Sequence, residues 1–373
     1  MVDRDVLADA VGWVARALPA RPPSPVLTGV RIKASAAAAG SVQLSSFDYE
    51  VSAKAQVGAD VEGAGDVLVS GKLLAEIAKL LPAKPATFRL EGPKVVLTCG
   101  TSTFTLPTMP LDDYPALPHL PSVVGSVAAG SFAHAVGQVA VAATKDETLP
   151  LLTGVKVEIE GENLTLLATD RYRLAIREMQ WRPTSPETSR VALVRAKTLN
   201  EVAKSFSPTE QIEVSLTAPG IVDIIGFAAA GRETTSLLID GDYPQVRNLL
   251  PDSFSSSASI GVAELIEAVR RVSLVAERNT PVQIAFTEGQ AVLNAGAGDD
   301  AQASEVLEAT LDGEDTTVAF NPHYLLEGLN AMGTPQVRLS LNQTTKPVLF
   351  QGEKDGQVVP DYKYLLVPIR FTV

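Results

Sequence analysis

Three histidines are the residues of this chain best suited to hold a metal ion or to move a proton. They are His119, His134 and His323. A metal site built on histidine needs a further His or Cys at a short, regular spacing, and none of the three has one. Glu327 follows His323 by one helical turn, but two ligands are too few. We therefore expect no metal site, and we expect His134 to be a surface or capping side chain.

A glycine-rich segment resembles a phosphate-binding loop but departs from it in detail. Gly65 and Gly71 enclose five residues instead of four, and Leu73 stands where a magnesium-binding Ser or Thr is required. Asp112 and Asp113 are neighbours in a loop, and adjacent carboxylates do not converge on one point. The sequence contains no Gly-x-Ser-x-Gly. We therefore expect a protein that is not an enzyme and that needs no cofactor.

Lysines recur at one spacing in two segments with a helical pattern. Lys72 and Lys79 form one pair, and Lys197 and Lys204 form the other. The spacing is about two helical turns, so each pair lies on one face of its helix. The whole chain carries a net charge of −12, so a nucleic-acid-binding role would require its positive charge to be concentrated on one surface. A single lysine could be part of a solvated helix face, but the repetition favours a function.

The elements that carry these lysines occur three times. Ala10-Val-Gly-Trp-Val14 returns as Ala135-Val-Gly-Gln-Val139 and as Ala268-Val-Arg-Arg-Val272. A second helical pattern at 71–79 returns at 196–204 and at 322–330. Self-similarity at a regular interval is the signature of tandem copies of one structural unit.

Runs with an apolar residue at every second position lie between the helices. Residues 155–167 and 282–293 alternate in this way around short turns, which is typical of β-hairpins. Each copy is therefore predicted to be α+β, with two helices and largely antiparallel sheet. We place the copies at 1–123, 124–254 and 255–373, with linkers near 118–127 and 251–259.

Composition agrees with several folded domains. The length of 373 residues fits two or three domains of ordinary size. Hydrophobic residues make up 46% and aromatic residues 5%, so the cores should consist of Val, Leu, Ile and Ala. The single cysteine, Cys99, cannot form an internal disulfide and is expected to be buried in a strand. We find neither a signal peptide nor an apolar stretch of about 18 residues, and we expect a cytoplasmic protein.

Four short segments add to the repeats. They are Leu44-Ser-Ser-Phe-Asp-Tyr-Glu50, Leu167-Ala-Thr-Asp-Arg-Tyr-Arg-Leu-Ala175, Phe320-Asn-Pro-His-Tyr-Leu-Leu326 and Tyr364-Leu-Leu-Val-Pro-Ile-Arg370. With them, the chain resembles the beta subunit of bacterial DNA polymerase III over essentially its whole length. The Thr-Asp-x-x-Arg-Leu run and the Pro-x-Arg ending are the most specific parts. The Ala- and Val-rich composition is similar to that of actinobacterial members.

The resemblance implies a DNA sliding clamp. Two chains would join head to tail, so that six DNA-clamp domains close a ring around double-stranded DNA without reading its sequence. Helices would form the inner wall, and sheets would continue across the dimer interface. The residues that would face the DNA are Arg21, Lys72, Lys79, Lys197, Lys204, Arg270 and Arg271. In the dimer interface, Phe104 and Leu106 of the first domain would meet Leu274 of the third domain of the partner.

The resemblance also implies a hydrophobic cleft in the second and third domains. It would bind motifs similar to Gln-Leu-x-Leu-Phe from the DNA polymerase III alpha subunit, the clamp loader, other polymerases and repair proteins. The matching residues are Leu152, Thr169, Arg173, Leu174, Pro244, Leu249, Asn321, Tyr324, Leu366, Val367, Pro368, Ile369 and Arg370. Arg173 and Arg370 are expected to be donors at the rim. Arg171-Tyr172 stands where enterobacterial members often have Gly-His, so the rim should differ in shape.

Two other classes of function stay open on sequence grounds. A nucleotide-dependent enzyme is disfavoured by the incomplete phosphate loop. A secreted array of repeat modules is disfavoured by the two helices in each copy, by the single cysteine and by the N-terminus. The sliding clamp is the preferred interpretation.

Overall fold

The structure is a computed structural model that describes residues 1–36, 40–206, 209–218, 222–251, 253–275, 280–296, 301–342 and 345–370. Its contacts divide the chain into two compact units. The first consists of Met1–Gly130, Arg182–Pro186 and Glu201–Leu238, and the second of Ser131–Trp181, Glu187–Asn200 and Ile239–Val373. Among the described residues, no helix is long and apolar enough to cross a membrane.

Six α-helices of the described chain contain the repeated helical patterns. They are α1 (Arg4–Ala15), α2 (Gly71–Leu80), α3 (Ala129–Ala140), α4 (Ala196–Phe206), α5 (Val262–Val272) and α6 (Pro322–Ala331). Helix α1 begins after Asp3, whose carboxylate accepts hydrogen bonds from the backbone N–H groups of Asp5 and Val6 at 2.9 and 3.1 Å. The first helical pattern gives α1, α3 and α5, and the second gives α2, α4 and α6.

The first unit contains one antiparallel sheet. Its strands are β1 (Gly29–Ser35), β2 (Ser41–Phe47), β3 (Val51–Gly58), β4 (Gly65–Ser70), β5 (Ala86–Glu91), β6 (Lys94–Cys99), β7 (Ser102–Met109), β8 (Val123–Ala128), β12 (Arg182–Pro183), β14 (Gln211–Leu216), β15 (Ile224–Ala229) and β16 (Arg232–Leu237). Their order is β12-β8-β14-β15-β16-β3-β2-β1-β4-β7-β6-β5. The pairing of β16 with β3 therefore joins the second repeated copy to the first.

The second unit is built in the same way. Its strands are β9 (Gly154–Glu160), β10 (Asn163–Thr169), β11 (Arg173–Gln180), β13 (Ser189–Arg195), β17 (Ser256–Gly261), β18 (Val282–Thr287), β19 (Gln290–Ala295), β20 (Ala303–Asp312), β21 (Thr316–Phe320), β22 (Gln336–Leu341), β23 (Val348–Lys354), β24 (Gln357–Val358) and β25 (Tyr362–Leu366). Their order is β13-β9-β10-β11-β25-β23-β22-β17-β20-β19-β18-β21, and β24 pairs with β23. The pairing of β11 with β25 joins the third copy to the second.

The structure confirms the predicted α+β class and the antiparallel hairpins. Gly161 and Gly289 close two of the predicted hairpins with φ of 57° and 80°, a backbone conformation that glycine adopts without a steric penalty. Cys99 is fully buried at the end of β6, as expected. The predicted linkers are partly wrong, because their second halves form strands β8 and β17.

Candidate functional site

The turn between β10 and β11 is cross-linked by its own side chains. The Asp170 carboxylate accepts hydrogen bonds from the N–H groups of Tyr172 and Arg173 at 3.0 and 3.1 Å. The Thr169 hydroxyl accepts one from the Arg171 N–H at 3.2 Å and donates one to the Arg173 carbonyl at 2.6 Å. These bonds hold Arg171 at a φ of 82°, which is a costly conformation for a side chain other than glycine. The turn is therefore fixed in one shape.

Arg173 lies beneath this turn and is only 7% exposed. Its guanidinium donates to Asp170 Oδ2 at 2.9 Å, pairs with Glu327, and lies 4.4 Å from the centroid of the Tyr324 ring. Burial alone would lower the pKa of Arg173, but Tyr364, Glu327 and Asp170 raise it above its ordinary value, so the side chain stays charged. The expectation that Arg173 is a donor at the rim is wrong, because the residue braces the turn against α6 from inside.

An apolar cluster lies next to the turn. Leu152, Leu174, Tyr243 and Leu365 are buried members of one hydrophobic cluster in the second unit. The Tyr243 hydroxyl accepts a hydrogen bond from the Thr169 N–H at 2.9 Å. Burial raises the pKa of Tyr243 to about 12, so the hydroxyl stays neutral at physiological pH. We call this cluster the floor.

Exposed apolar side chains surround the floor. Tyr172 is 53% exposed, and Leu249 and Val367 are also exposed. The Val367 N–H donates to the Tyr172 carbonyl at 2.9 Å, and the Ile369 N–H donates to the Ala319 carbonyl at 2.8 Å. These bonds hold residues 367–369 between the turn and β21. Exposed apolar side chains above a buried cluster are typical of a binding groove.

The structure assigns different positions to the other predicted cleft residues. Leu366 and Pro368 are buried, whereas Pro244 and Arg370 are exposed. Asn321 caps α6, because its side-chain oxygen accepts hydrogen bonds from the N–H groups of His323 and Tyr324. Sequence reasoning missed the bracing roles of Asp170, Tyr243 and Glu327. The available signal for Tyr243 was an Asp-Tyr-Pro tripeptide that occurs at 113–115 and again at 242–244.

The first unit repeats the frame of this groove. The Asp48 carboxylate accepts from the N–H groups of Glu50 and Val51 at 2.9 and 2.6 Å, as Asp170 does in the second unit. Tyr49 has a φ of 74°, and the Leu237 N–H donates to the Glu50 carbonyl at 2.9 Å. The positive φ of Tyr49 corresponds to that of Arg171. The bond from Leu237 to Glu50 corresponds to the bond from Val367 to Tyr172.

The same frame is filled differently in the first unit. Phe47 stands at the position of Thr169 and is buried in a cluster with Leu27, Leu68 and Tyr114. The apolar space at this position is therefore filled by the side chain of Phe47. In the second unit, the small Thr169 stands there.

The predicted basic residues are exposed but are only partly available to a polyanion. Lys72, Lys79, Lys197, Lys204 and Arg21 are exposed. Arg270 and Arg271 are exposed as well, but they pair with Glu267 at 2.6 Å and with Glu305 at 3.0 Å. Acidic and basic residues are equal in number over the six helices. The helices α2 and α4 each carry one net positive charge, so any attraction for phosphate should be weak.

The three predicted interface residues differ in exposure. Leu274 is 84% exposed, and Phe104 is half-buried. Leu106 is buried in the first unit, which corrects the expectation that its side chain makes a direct contact with a partner.

Family models match the chain in three consecutive segments. Residues 1–118 match the N-terminal domain of the DNA polymerase III beta subunit, residues 126–245 match its central domain, and residues 247–370 match its C-terminal domain.

Individual proteins agree with the family models. The chain is 50% identical to the beta sliding clamp of Streptomyces coelicolor, with 100% of this chain and 99% of that protein covered. It is 54% identical to the beta sliding clamp of Micrococcus luteus, with 83% of this chain and 99% of that protein covered. The crystal structure of the DNA polymerase III beta subunit of Thermotoga maritima superposes with a TM-score of 0.90 at 25% identity, covering 100% of this chain and 99% of that one.

Proposed function

The chain belongs to the DNA polymerase III beta subunit family, and we propose on that basis that it works as a DNA sliding clamp. In this role it is a non-catalytic, cytoplasmic processivity factor that tethers polymerases and other replication proteins to duplex DNA. The observation that carries the proposal is the match of all three domains of the family, in order, along one chain. The matched segments also support our division into domains at 1–123, 124–254 and 255–373.

The strand pairing of the repeats indicates how two chains would close a ring. The last strand of the second copy (β16) pairs with β3, and the last strand of the third copy (β25) pairs with β11. The last strand of the first copy is β7, and the strand of the third copy that corresponds to β3 and β11 is β20. Within the described chain, residues 102–107 of β7 pair only with β6, and residues 303–308 of β20 pair only with β19. We propose that β7 of one chain pairs with β20 of another.

Helix contacts repeat with the strands. In the first unit, the rings of Trp13 on α1 and Phe206 on α4 have centroids 4.8 Å apart. In the second unit, the Gln138 side chain on α3 donates to the Ala331 carbonyl on α6 at 2.8 Å. In both cases, the first helix of one copy contacts the second helix of the next copy. By the same rule, α5 of one chain should contact α2 of its partner.

The helix contacts also predict which side chains meet between the chains. Arg16, two residues after Val14, forms a hydrogen bond with Ser205, which follows Lys204. The corresponding positions in α5 and α2 are occupied by Leu274 and Leu80, which are 84% and 82% exposed. Two leucines exposed to this degree are explained if each covers the other in a head-to-tail dimer.

Weak attraction for DNA suits a clamp that slides. A closed ring is held on DNA by its topology, so its inner surface does not need strong phosphate contacts. The exposed lysines of α2 and α4, together with Arg21, provide limited positive charge within a chain of net charge −12. We propose that these residues face the DNA. Arg271 occupies the repeat position of Trp13 and Gln138, whose side chains contact a helix of the next copy, so we propose that Arg271 belongs to the interface instead.

The groove in the second unit is the proposed site for partner peptides. Its floor can bury Leu and Phe anchors, at about 1.5–3 kcal/mol for each fully buried side chain. The test is fluorescence anisotropy of a labelled Gln-Leu-Ser-Leu-Phe peptide titrated with the protein. We expect saturable binding that unlabelled peptide competes, and loss of that binding when Leu174→Ala is combined with Pro244→Ala. Normal binding by the double variant would contradict the assignment of the groove.

A further inference from the structure

Tyr172 ends a stack of flat groups at the edge of the groove. Its ring lies 6.0 Å from the ring of Tyr324, centroid to centroid, with 24° between the planes. The guanidinium carbon of Arg173 lies 4.4 Å from the centroid of the same Tyr324 ring. Tyr172 remains 53% exposed, so part of its ring is open to a further flat group.

We propose that Tyr172 determines specificity in the groove, by stacking against an aromatic side chain of the bound peptide. The proposal rests on the proposed function, because it assumes that partner peptides bind in this groove. It adds a preference for an aromatic residue in the peptide besides the Leu and Phe that the floor accommodates.

The backbone that carries the Tyr172 ring is held before any peptide arrives. The Tyr172 N–H is bonded to Asp170, and the Tyr172 carbonyl accepts from the Val367 N–H. Tyr324 lies at the first turn of α6, where Asn321 caps the helix. Since the backbone on both sides of the stack is held, little conformational entropy is lost when a peptide ring joins it.

The stack has its charged groups at the inner end and an uncharged ring at its exposed end. Arg173 is paired with the carboxylates of Asp170 and Glu327 at the inner end of the stack. The outer end is the phenol ring of Tyr172. Offset and edge-to-face contacts between aromatic rings stabilise such pairs beyond the area that they bury.

The experiment is a coupling measurement between the protein and the peptide. Because the register of the peptide is the unknown, three labelled peptides each carry one tryptophan: Trp-Leu-Ser-Leu-Phe, Gln-Leu-Trp-Leu-Phe and Trp-Gln-Leu-Ser-Leu-Phe. Each is compared with a version that has leucine instead of tryptophan. Binding is measured with the unaltered full-length protein and with Tyr172→Leu and Tyr172→Phe.

A matched control is Tyr49→Leu, which removes another half-exposed tyrosine, from the corresponding turn of the first unit. We expect at least one tryptophan peptide to bind roughly 2- to 12-fold more tightly than its leucine version. Tyr172→Leu should abolish this preference, whereas Tyr172→Phe and Tyr49→Leu should retain it.

The outcomes separate the two proposals. If none of the three peptides shows a preference that depends on Tyr172, the specificity role is refuted, even if all of them bind. If Tyr172→Leu weakens the tryptophan and leucine versions equally, Tyr172 only supports the shape of the groove, and the proposal is again refuted. If Gln-Leu-Ser-Leu-Phe does not bind the unaltered protein at all, the groove assignment itself fails.

Discussion

Replacing Leu274 with alanine should weaken the proposed dimer without harming the single chain. Leu274 is 84% exposed in the chain, so its removal costs the isolated fold little. If the side chain is buried against Leu80 of a partner, each interface loses about 2 kcal/mol. A head-to-tail ring has two identical interfaces, and its dissociation breaks both, which gives a loss of about 4 kcal/mol. The dimer dissociation constant should therefore rise by roughly a factor of 1,000.

Sedimentation velocity over a dilution series, or light scattering after gel filtration, would measure this change. Leu249→Ala is the matched control, because Leu249 is also an exposed leucine but lies at the groove. Leu249→Ala should leave the dimer unchanged, and both variants should keep the thermal stability of the single chain. An unaltered dissociation constant for Leu274→Ala would refute the pairing scheme that places α5 of one chain against α2 of the other.

Three further predictions follow from the described contacts. Asp170→Ala leaves the buried Arg173 with one carboxylate fewer and should lower the free energy of unfolding by about 3–5 kcal/mol, measured by urea denaturation. Phe47→Thr removes a buried ring and should cost about 3 kcal/mol in the same assay, while peptide affinity in anisotropy titrations stays unchanged. Combining Lys72→Gln with Lys197→Gln should reduce the salt dependence of binding to linear duplex DNA, and an unchanged slope would argue against contact of these lysines with phosphate.

The repeated sequence patterns were sufficient to predict the local structure. Helical periodicity at three matching places located the six helices found among the described residues, and alternation with Gly-containing turns located the hairpins. Both signals are local, because they depend on residues that are close in the chain. The linker prediction was partly wrong because the Ser-rich segment of 251–259 has turn-like composition, but β17 within it is held between β20 and β22. Tertiary pairing overrode composition there.

The site was less predictable, because its contacts join residues that are far apart in sequence. Arg173 matched the cleft by its motif, but its burial depends on Glu327, which lies 154 residues later. No spacing rule reveals that such a pair meets. The pairing of β25 with β11 has the same character, since β25 is the last strand that the structure describes and β11 belongs to the middle of the chain. The resemblance to a family supplied part of this long-range information. It indicated which residues belong to the site, but not which of them contact each other.

The two units share one repeated frame but differ in the residue that fills it. Both frames have an Asp whose carboxylate binds two N–H groups, a residue at positive φ, and a bond from the next copy to the turn. Backbone geometry therefore does not distinguish them. The distinguishing position holds Phe47 in the first unit and Thr169 in the second. Phe47 is buried against Leu27, Leu68 and Tyr114, so a side chain of the protein covers the apolar cluster of the first unit. In the second unit, a Leu or Phe of a partner peptide is proposed to do this. The hydroxyl of Thr169 is instead bonded within its turn, and the proposed peptide would cover the neighbouring floor. This position is therefore one difference between the copies that supports placing the proposed partner site in the second unit and not in the first.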